Sequence, residues 1–256
     1  MKRRQFLKTG LAVAAGTATQ VQAQAEPDRS FYELRVYDLR NDIEPARMNG
    51  FFREHFIPAM QRQGIGPIGC FSPISGLNTP SLIVLVPYKS LGEVQALAGK
   101  LASDADYNKA SKSFESSSQL PYVRYESSLL KAFSAHPKIE LPDSSAAPHI
   151  FELRTYESKN DVDLAAKMDM FNQEEIEIFR KAGFGPVFFG ETIFGTRLPH
   201  FTYSVAFKDM AARDKAWSTF SAHPDWVRIK DRPEWAGTVS NIHASFLRPT
   251  DYSQIR

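Results

Sequence analysis

Apolar and polar residues alternate along residues 31–38, which read FYELRVYD. A period of two is typical of a β-strand, because successive side chains point to opposite faces. The pattern then changes, and four large apolar residues recur at every fourth position before Gly64. This spacing predicts an amphipathic helix that ends at the glycine. The apolar stripe consists of Met48, Phe52, Phe56 and Met60.

The residues that follow predict three more strands and a second helix. Turn residues separate apolar runs at 67–74, 82–86 and 122–133, and a helical pattern covers 89–101. Short helical turns are expected near Asp104. The predicted order is β-α-β-β-α-β, which is the split βαβ unit.

A second copy of this pattern begins 119 residues later. The motif E-L-R-x-Y occurs at 33–37 and again at 152–156, and the copies align without a gap from residue 31 to residue 107. Many identities fall on glycines and prolines of turns, where backbone geometry restricts the choice of residue. We infer that one structural unit has been duplicated.

The second copy predicts the same elements. An Asn-Asp pair suited to cap the first helix stands at 41–42 and again at 160–161. Strands are expected near 150–157, 186–194, 200–207 and 239–248, and helices near 161–182 and 209–221. The chain thus divides into a leader (1–25), a first repeat (30–133), a linker rich in Pro, Ser and Ala (134–148) and a second repeat (149–249).

Such a unit has its helices on one face of a four-stranded sheet and leaves the other face bare. A bare apolar face must be covered. Two copies in one chain can cover each other, sheet to sheet. The predicted fold class is therefore α+β, with two ferredoxin-like βαββαβ units that form an intramolecular dimeric α/β barrel.

Several short motifs follow one another along the chain. They are Y-E-L-R-x-Y at a strand start, E-H-F-I-P on the first helix, Gly-x-Gly before the second strand, and D-x-D-Y or H-P-D-W after the second helix. In this order they resemble the NIPSNAP family. The resemblance covers both repeats and implies a tandem dimeric α/β-barrel fold. It implies no agreed enzymatic activity, since the wider superfamily holds cofactor-free monooxygenases, haem-degrading and haem-binding enzymes, and binding proteins. Function must therefore be argued from the site.

The first 25 residues resemble an export signal. MKRRQFLK contains the twin arginines Arg3 and Arg4, a short apolar run follows, and Ala23-Gln24-Ala25 is typical of a cleavage site. The apolar run is too short to span a membrane. The pattern favours the twin-arginine class of bacterial signals over an ordinary secretory signal or an uncleaved basic tail. We expect a periplasmic or secreted protein without a membrane span.

Charge argues against nucleic acid as a partner. Without the four basic residues of the leader, 27 of the 31 Lys and Arg residues remain, against 29 Asp and Glu residues. The mature chain is thus close to neutral, whereas nucleic-acid binding requires a local excess of positive charge.

Cys70 is the one cysteine, so no disulfide forms within the chain. We expect it to be a small buried hydrophobic residue and not a reactive thiol.

The polar residues of the first strand are the main candidates for binding. We place Glu33, Arg35 and Tyr37 in the space between the sheets, and Leu34 and Val36 on the helix side. Charges there must be paired or hydrated. One interpretation is a Glu–Arg ladder that fixes strand register across the two repeats. The other is a polar cavity in which arginine holds an anionic ligand and tyrosine donates a hydrogen bond. The matching residues of the second repeat are Glu152, Arg154 and Tyr156.

His55 is the best single candidate for catalysis, although the sequence assigns no catalytic residue firmly. Glu174 stands at its position in the second repeat, so a site built on His55 would not be symmetric. An imidazole can act as a base near neutral pH or bind a metal or haem iron. Equally, His55 fits a half-buried histidine with a structural role. Asp106 and Asp225 are predicted to cap short helices.

No motif for a zinc site, a dinucleotide site or a serine hydrolase is present. Three functions stay open. The favoured one is an exported protein that binds a small molecule, anionic or neutral, between the sheets, without a metal or other cofactor. The second is an oxygenase-type or haem-linked enzyme that uses His55. The third is a structural or interaction module with a packed barrel. Any of them is compatible with further pairing into a homodimer.

Overall fold

The computed structural model describes residues 28–40, 44–75, 80–116, 121–143 and 148–256. The leader lies outside the described residues, as do the Asn-Asp pair at 41–42 and the turn at Gly76. In the described part of the chain, no helix is both long and apolar enough to cross a membrane.

The first repeat has the predicted order of elements. Its strands are β1 (Phe31–Asp38), β2 (Gly69–Pro73), β3 (Ser81–Tyr88) and β4 (Arg124–Ala132). The first helix consists of α1 (Glu44–Phe51), a π-helical segment (Phe52–Phe56) and α2 (Ile57–Arg62). The second helical region consists of α3 (Leu91–Ser103) and α4 (Ala105–Glu115).

The second repeat reproduces this order. Its strands are β5 (Ile150–Glu157), β6 (Gly185–Phe194), β7 (His200–Phe207) and β8 (Asn241–Pro249). Its helices are α5 (Asp161–Met170), a π-helical segment (Phe171–Glu175), α6 (Ile176–Lys181), α7 (Met210–Ala222) and α8 (Pro224–Ile229). Asn160 caps α5 as predicted, because its side chain accepts a hydrogen bond from the amide of Asp163.

The eight strands close into one barrel in the order β1-β3-β2-β8-β5-β7-β6-β4. Two antiparallel pairs join the repeats, β2 with β8 and β4 with β6. Closure leaves the inner faces of both sheets against each other and the helices outside. The predicted tandem barrel is confirmed.

Apolar side chains fill the interior of the barrel, and all eight strands contribute to it. Leu34, Val36 and Leu153 pack against this cluster. The cavity among these side chains has a volume of about 10 Å³, which is too small for any ligand larger than water. Members of the cluster include Tyr32, Phe71, Leu85, Leu130, Phe151, Phe188, Ala206 and Leu247.

The predicted orientation of the polar strand residues is therefore wrong. Leu34 and Val36 point into the barrel, and Glu33, Arg35 and Tyr37 point toward the helices. The same reversal holds for Glu152, Arg154 and Tyr156 in the second repeat. Water does not reach the packed interior of an eight-stranded barrel, so charged side chains are more stable beneath the helices, where partners and solvent are available.

Two further details differ from the sequence-based expectations. The turns expected near Asp104 form an 11-residue helix, α4. Its cap is Asp104, which accepts a hydrogen bond from the amide of Tyr107, and Asp106 lies inside the first turn. In the second repeat the cap of α8 is His223, and Asp225 instead binds Lys181. The prediction that Asp106 and Asp225 are caps is wrong by two residues in each case.

The linker and the C-terminal segment both pack against the barrel. His136 is buried, and its Nε2 lies 3.1 Å from the carbonyl oxygen of Val187 in β6. At the other end of the chain, Ser253 accepts a hydrogen bond from the amide of Cys70, and Ile255 is buried in the barrel interior. These contacts add to the strand pairs that hold the two repeats together.

Candidate functional site

Glu33 and Arg35 form the polar centre of the first repeat, between the sheet and the helices. The Glu33 carboxylate accepts hydrogen bonds from Arg35 Nε at 2.7 Å and Nη2 at 2.8 Å. It also accepts from the hydroxyls of Tyr88 at 2.8 Å and Ser127 at 2.7 Å. Arg35 Nη1 donates to the Tyr37 hydroxyl at 3.4 Å. The pairing lies within one repeat, so the predicted ladder across the two repeats is not formed.

This centre lies at the floor of an open pocket, which we call the Arg35 pocket. Its volume is about 370 Å³. Arg35 and Glu33 remain partly accessible, with 18% and 16% of their side-chain surface exposed. The walls are mostly aliphatic, and they include Val94, Leu97, Ala98 and Leu101 from α3, Leu129 from β4, and Phe194 from the second repeat.

The matching centre in the second repeat is closed. Glu152 is fully buried and accepts hydrogen bonds from Arg154, from Arg213 Nε at 2.9 Å and from Trp217 Nε1 at 2.9 Å. The Arg154 guanidinium lies over the Trp217 ring, 4.7 Å from its centre. Tyr156 accepts from Arg154 at 3.4 Å.

Two substitutions between the repeats account for this closure. With the offset of 119 residues, Arg213 stands where Val94 stands in the first repeat, and Trp217 stands where Ala98 stands. The larger side chains of the second repeat reach the buried glutamate and occupy the space that is open in the first. Both repeats thus keep the same Glu–Arg pair, and only the first keeps a pocket beside it.

Hydrogen bonding keeps both glutamates ionised. Burial by itself would raise the pKa of Glu33, but hydrogen bonds from Arg35, Ser127 and Tyr88 outweigh it and hold the pKa below its ordinary value. Burial likewise opposes the charged form of Glu152, and hydrogen bonds from Arg213 and Trp217 again lower the pKa. Neither carboxylate is available as a general base near neutral pH, because its lone pairs are already engaged.

His55 lines a separate groove between the first helix and α4, which we call the His55 groove. Its volume is about 830 Å³. The His55 side chain is half-buried, and its ring centre lies 5.9 Å from that of Phe51. No residue in the described part of the chain forms a hydrogen bond with it. Other lining residues are Arg47, Glu54, Asp106, Tyr107, Lys109 and Phe114.

The groove does not fit a haem. His55 supplies one imidazole, but charged side chains line both walls, including Glu54, Asp106 and Lys109. The faces of a porphyrin require an apolar slot, and the groove does not provide one. Across the described residues, no three or more His, Cys, Asp or Glu side chains come together in a way that could hold a metal ion.

Cys70 is buried in β2, and burial raises the pKa of its thiol far above the ordinary value. It is therefore an inert hydrophobic residue, as predicted.

Sequence reasoning missed Tyr88 and Ser127, which complete the Glu33 site from β3 and β4. It also missed Ala98, although a signal was present: the repeat alignment sets Ala98 against Trp217, and a small residue against a large one indicates unequal packing.

Comparison with known proteins agrees with this architecture. A structure of a provisionally assigned monooxygenase from Lactobacillus acidophilus NCFM is similar with a TM-score of 0.57 and 10% identity, covering 86% of this chain and 94% of that one. A provisionally assigned chlorite dismutase is similar with a TM-score of 0.50 and 12% identity, covering 89% and 97%. At these identities the likeness concerns the fold.

A third similar structure is a NIPSNAP protein of unknown function from Agrobacterium tumefaciens C58. It has a TM-score of 0.39 and 20% identity, and the match covers 43% of this chain and 95% of that one. No curated protein matches the chain.

Family profiles match the leader and both repeats. Residues 1–19 match the signal sequence of the TAT (twin-arginine translocation) pathway, which indicates export across the bacterial membrane and confirms that prediction. Residues 32–135 and 151–254 each match the NIPSNAP profile, and together they make up most of the chain. The chain belongs to the NIPSNAP family and carries two NIPSNAP domains in tandem.

Proposed function

We propose that this exported protein binds a small, mostly aliphatic molecule with one polar or anionic group in the Arg35 pocket of its first repeat. The observation that carries the proposal is the contrast between Ala98 and Trp217. The same position is open beside one Glu–Arg pair and filled beside the other. A protein that needed only a packed barrel would gain by filling both.

The lining of the pocket determines the chemistry of this ligand. A volume of about 370 Å³ lies within the range of small-molecule sites. Val94, Leu97 and Leu101 offer an aliphatic wall, which favours an alkyl or branched chain. At the floor, Arg35 keeps N–H groups beyond those given to Glu33 and Tyr37, and these can donate to a carboxylate or hydroxyl.

Binding is better supported than catalysis at this site. Glu33 accepts four hydrogen bonds, so it cannot take a proton from a substrate without losing its own partners. Burial and the hydrogen bond to Glu33 keep the Tyr88 hydroxyl protonated, with a pKa far above its ordinary value. The pocket therefore offers fixed donors and an apolar wall rather than an acid–base pair. The cavity that the sequence predicts between the sheets is too small for a ligand, so we place the site between the sheet and α3.

The test is a stability screen of the mature protein with straight-chain carboxylates, including octanoate, and with the matching alcohols. A ligand present at about 100 times its Kd should stabilise the fold by about 2.7 kcal/mol. Each hit is then titrated by calorimetry against the wild type and against Ala98→Trp, which copies the second repeat. We expect Ala98→Trp to weaken binding by tenfold or more, on the order of 1.4 kcal/mol.

Ala102→Trp provides the matched control. It adds the same indole one turn further along α3, at an exposed position outside the pocket. The control should bind like the wild type. Equal binding by Ala98→Trp and the wild type, or no hit among the aliphatic acids and alcohols, would contradict the proposal.

A further inference from the structure

We propose that the His55 groove is a second ligand site, which binds a planar aromatic molecule carrying a carboxylate. The groove does not share a lining residue with the Arg35 pocket. The inference therefore stands independently of the function proposed above. It rests on an aromatic wall, on a missing ion pair and on the contrast with the second repeat.

The aromatic wall is formed by three residues from two helices. Phe51 and Phe114 are stacked with ring centres 4.4 Å apart and planes 15° apart. The ring of Tyr107 lies 5.9 Å from that of Phe51. All three side chains are partly accessible from the groove. The two stacked rings cover one face of each other, and the Arg47 guanidinium lies over the Phe114 ring, 5.2 Å from its centre. Such a surface favours a flat aromatic ligand that packs against the ring edges.

The second repeat has an ion pair that the first repeat lacks. There Glu174 accepts hydrogen bonds from Arg228 at 2.9 and 3.2 Å, and this pair ties the π-helical segment to α8. In the first repeat the same two positions hold His55 and Lys109. The cationic member of the pair is kept, and the carboxylate is replaced by an imidazole.

No described residue forms a hydrogen bond or ion pair with His55 or Lys109. The first repeat thus has two potential hydrogen-bond donors facing the groove, His55 and Lys109. At the position of His55 the second repeat has the acceptor Glu174. A ligand carboxylate would take the role that the Glu174 side chain has in the other repeat, between Lys109 and His55. The other charged residues of the groove are two arginines, Arg47 and Arg62, and two acids, Glu54 and Asp106. Because these charges balance, the site favours a ligand with a single carboxylate.

The second repeat also shows how this space is closed when it is not needed. Trp235 is buried there, and its Nε1 donates to Asp169 at 3.3 Å. The residue at the position of Asp169 in the first repeat is Gly50, which lines the groove. A Cβ built on Gly50 would meet nothing within 4 Å, so the space next to it is open.

The probe is 2-naphthoate, compared with the neutral 2-naphthamide, by calorimetry on the mature protein at low ionic strength. Because a charge-assisted hydrogen bond is the stronger kind, we expect naphthoate to bind about tenfold more tightly than the amide. His55→Glu restores the residue of the second repeat and lets it pair with Lys109. This variant should weaken naphthoate binding by about tenfold or more.

Controls separate this site from the Arg35 pocket. Glu54→Gln, which copies Gln173, should bind naphthoate at least as well as the wild type, and Ala98→Trp should leave it unchanged. Lys109→Gln should weaken naphthoate binding several-fold, and it decides the matter if His55→Glu fails to fold. Equal affinity for acid and amide, full binding by His55→Glu or Lys109→Gln, loss of binding in Ala98→Trp, or no binding at about 10 mM naphthoate would each overturn the proposal.

Discussion

The two repeats share one fold and differ in how they treat the space between sheet and helices. In the second repeat Trp217 and Arg213 cover the Glu–Arg pair, and an Arg228–Glu174 bridge closes the groove next to it. In the first repeat the matching positions leave a pocket and a groove. We propose that the duplicated unit has divided its tasks, with one copy packed for stability and the other open to ligands.

The largest expected effect is on the buried carboxylate of the second repeat. Glu152→Ala leaves Arg154 and Arg213 without their common partner in a buried site, so we expect a loss of about 3–5 kcal/mol in the free energy of unfolding. Chemical denaturation of the mature protein measures it. Glu33→Ala is the matched variant, and it should cost less, because Glu33 is partly exposed and has one arginine partner, whereas Glu152 is fully buried and has two. A larger loss for Glu33→Ala than for Glu152→Ala would reverse the comparison.

Trp217→Ala comes next. It removes a side chain that packs on Phe179 and Phe184 and donates to Glu152, so we expect a loss of about 3 kcal/mol. Ala98→Trp in the first repeat should change stability much less, because it adds a ring at the mouth of an open pocket. If both variants lost the same amount in thermal and chemical unfolding, the two sites would be equally packed.

Arg35→Ala should cost about 2–3 kcal/mol, because it leaves the Glu33 carboxylate without its cationic partner. The comparison is Arg53→Ala, since Arg53 pairs with Asp251 on the exposed surface. Surface ion pairs contribute little, so the second variant should melt close to the wild type. Equal melting temperatures for the two variants would argue against a structural role for the Glu33–Arg35 pair.

The smallest effect concerns pH. The folded-state pKa of Glu152 lies below its ordinary value of 4.5, so the unfolded chain takes up the proton first as pH falls. The stability contributed by the charged form is complete above that value and is lost as pH falls through the lower pKa of the folded state. The stability gap between wild type and Glu152→Gln should therefore shrink between neutral pH and acid pH. A gap that stays constant on acidification would contradict the lowered pKa.

Much of the architecture could be predicted from the sequence, because it depends on the spacing of apolar residues and on the duplication of one structural unit. The two-residue alternation of 31–38, the i+4 stripe ending before Gly64 and the repeated E-L-R-x-Y were enough to predict the barrel. They could not decide which face of β1 turns inward. In β3 both faces are apolar, and in β1 the polar face can pair with helices as well as with another sheet.

The sequence singled out Glu33 and Arg35, which belong to the pocket proposed above, but it did not indicate the location of that pocket. Glu33 and Arg35 stood out because charges in a strand need partners, and that argument holds on either face. The pocket itself depends on the small side chain of Ala98. The pattern of apolar and polar residues does not show that such a side chain leaves a pocket open. Distant residues such as Ser127 and Tyr88 enter the site through strand register, which is fixed only when the barrel closes.

The most direct test of the central claim is methyl NMR on the mature protein with labelled leucine and valine, titrated with octanoate. We predict chemical-shift changes concentrated on Val94, Leu97 and Leu101, which line the Arg35 pocket from α3. We predict none on Leu34, Leu153 and Leu247 in the barrel interior. Shifts confined to these interior methyls, or to the second repeat, would contradict the claim that the first repeat holds the open site.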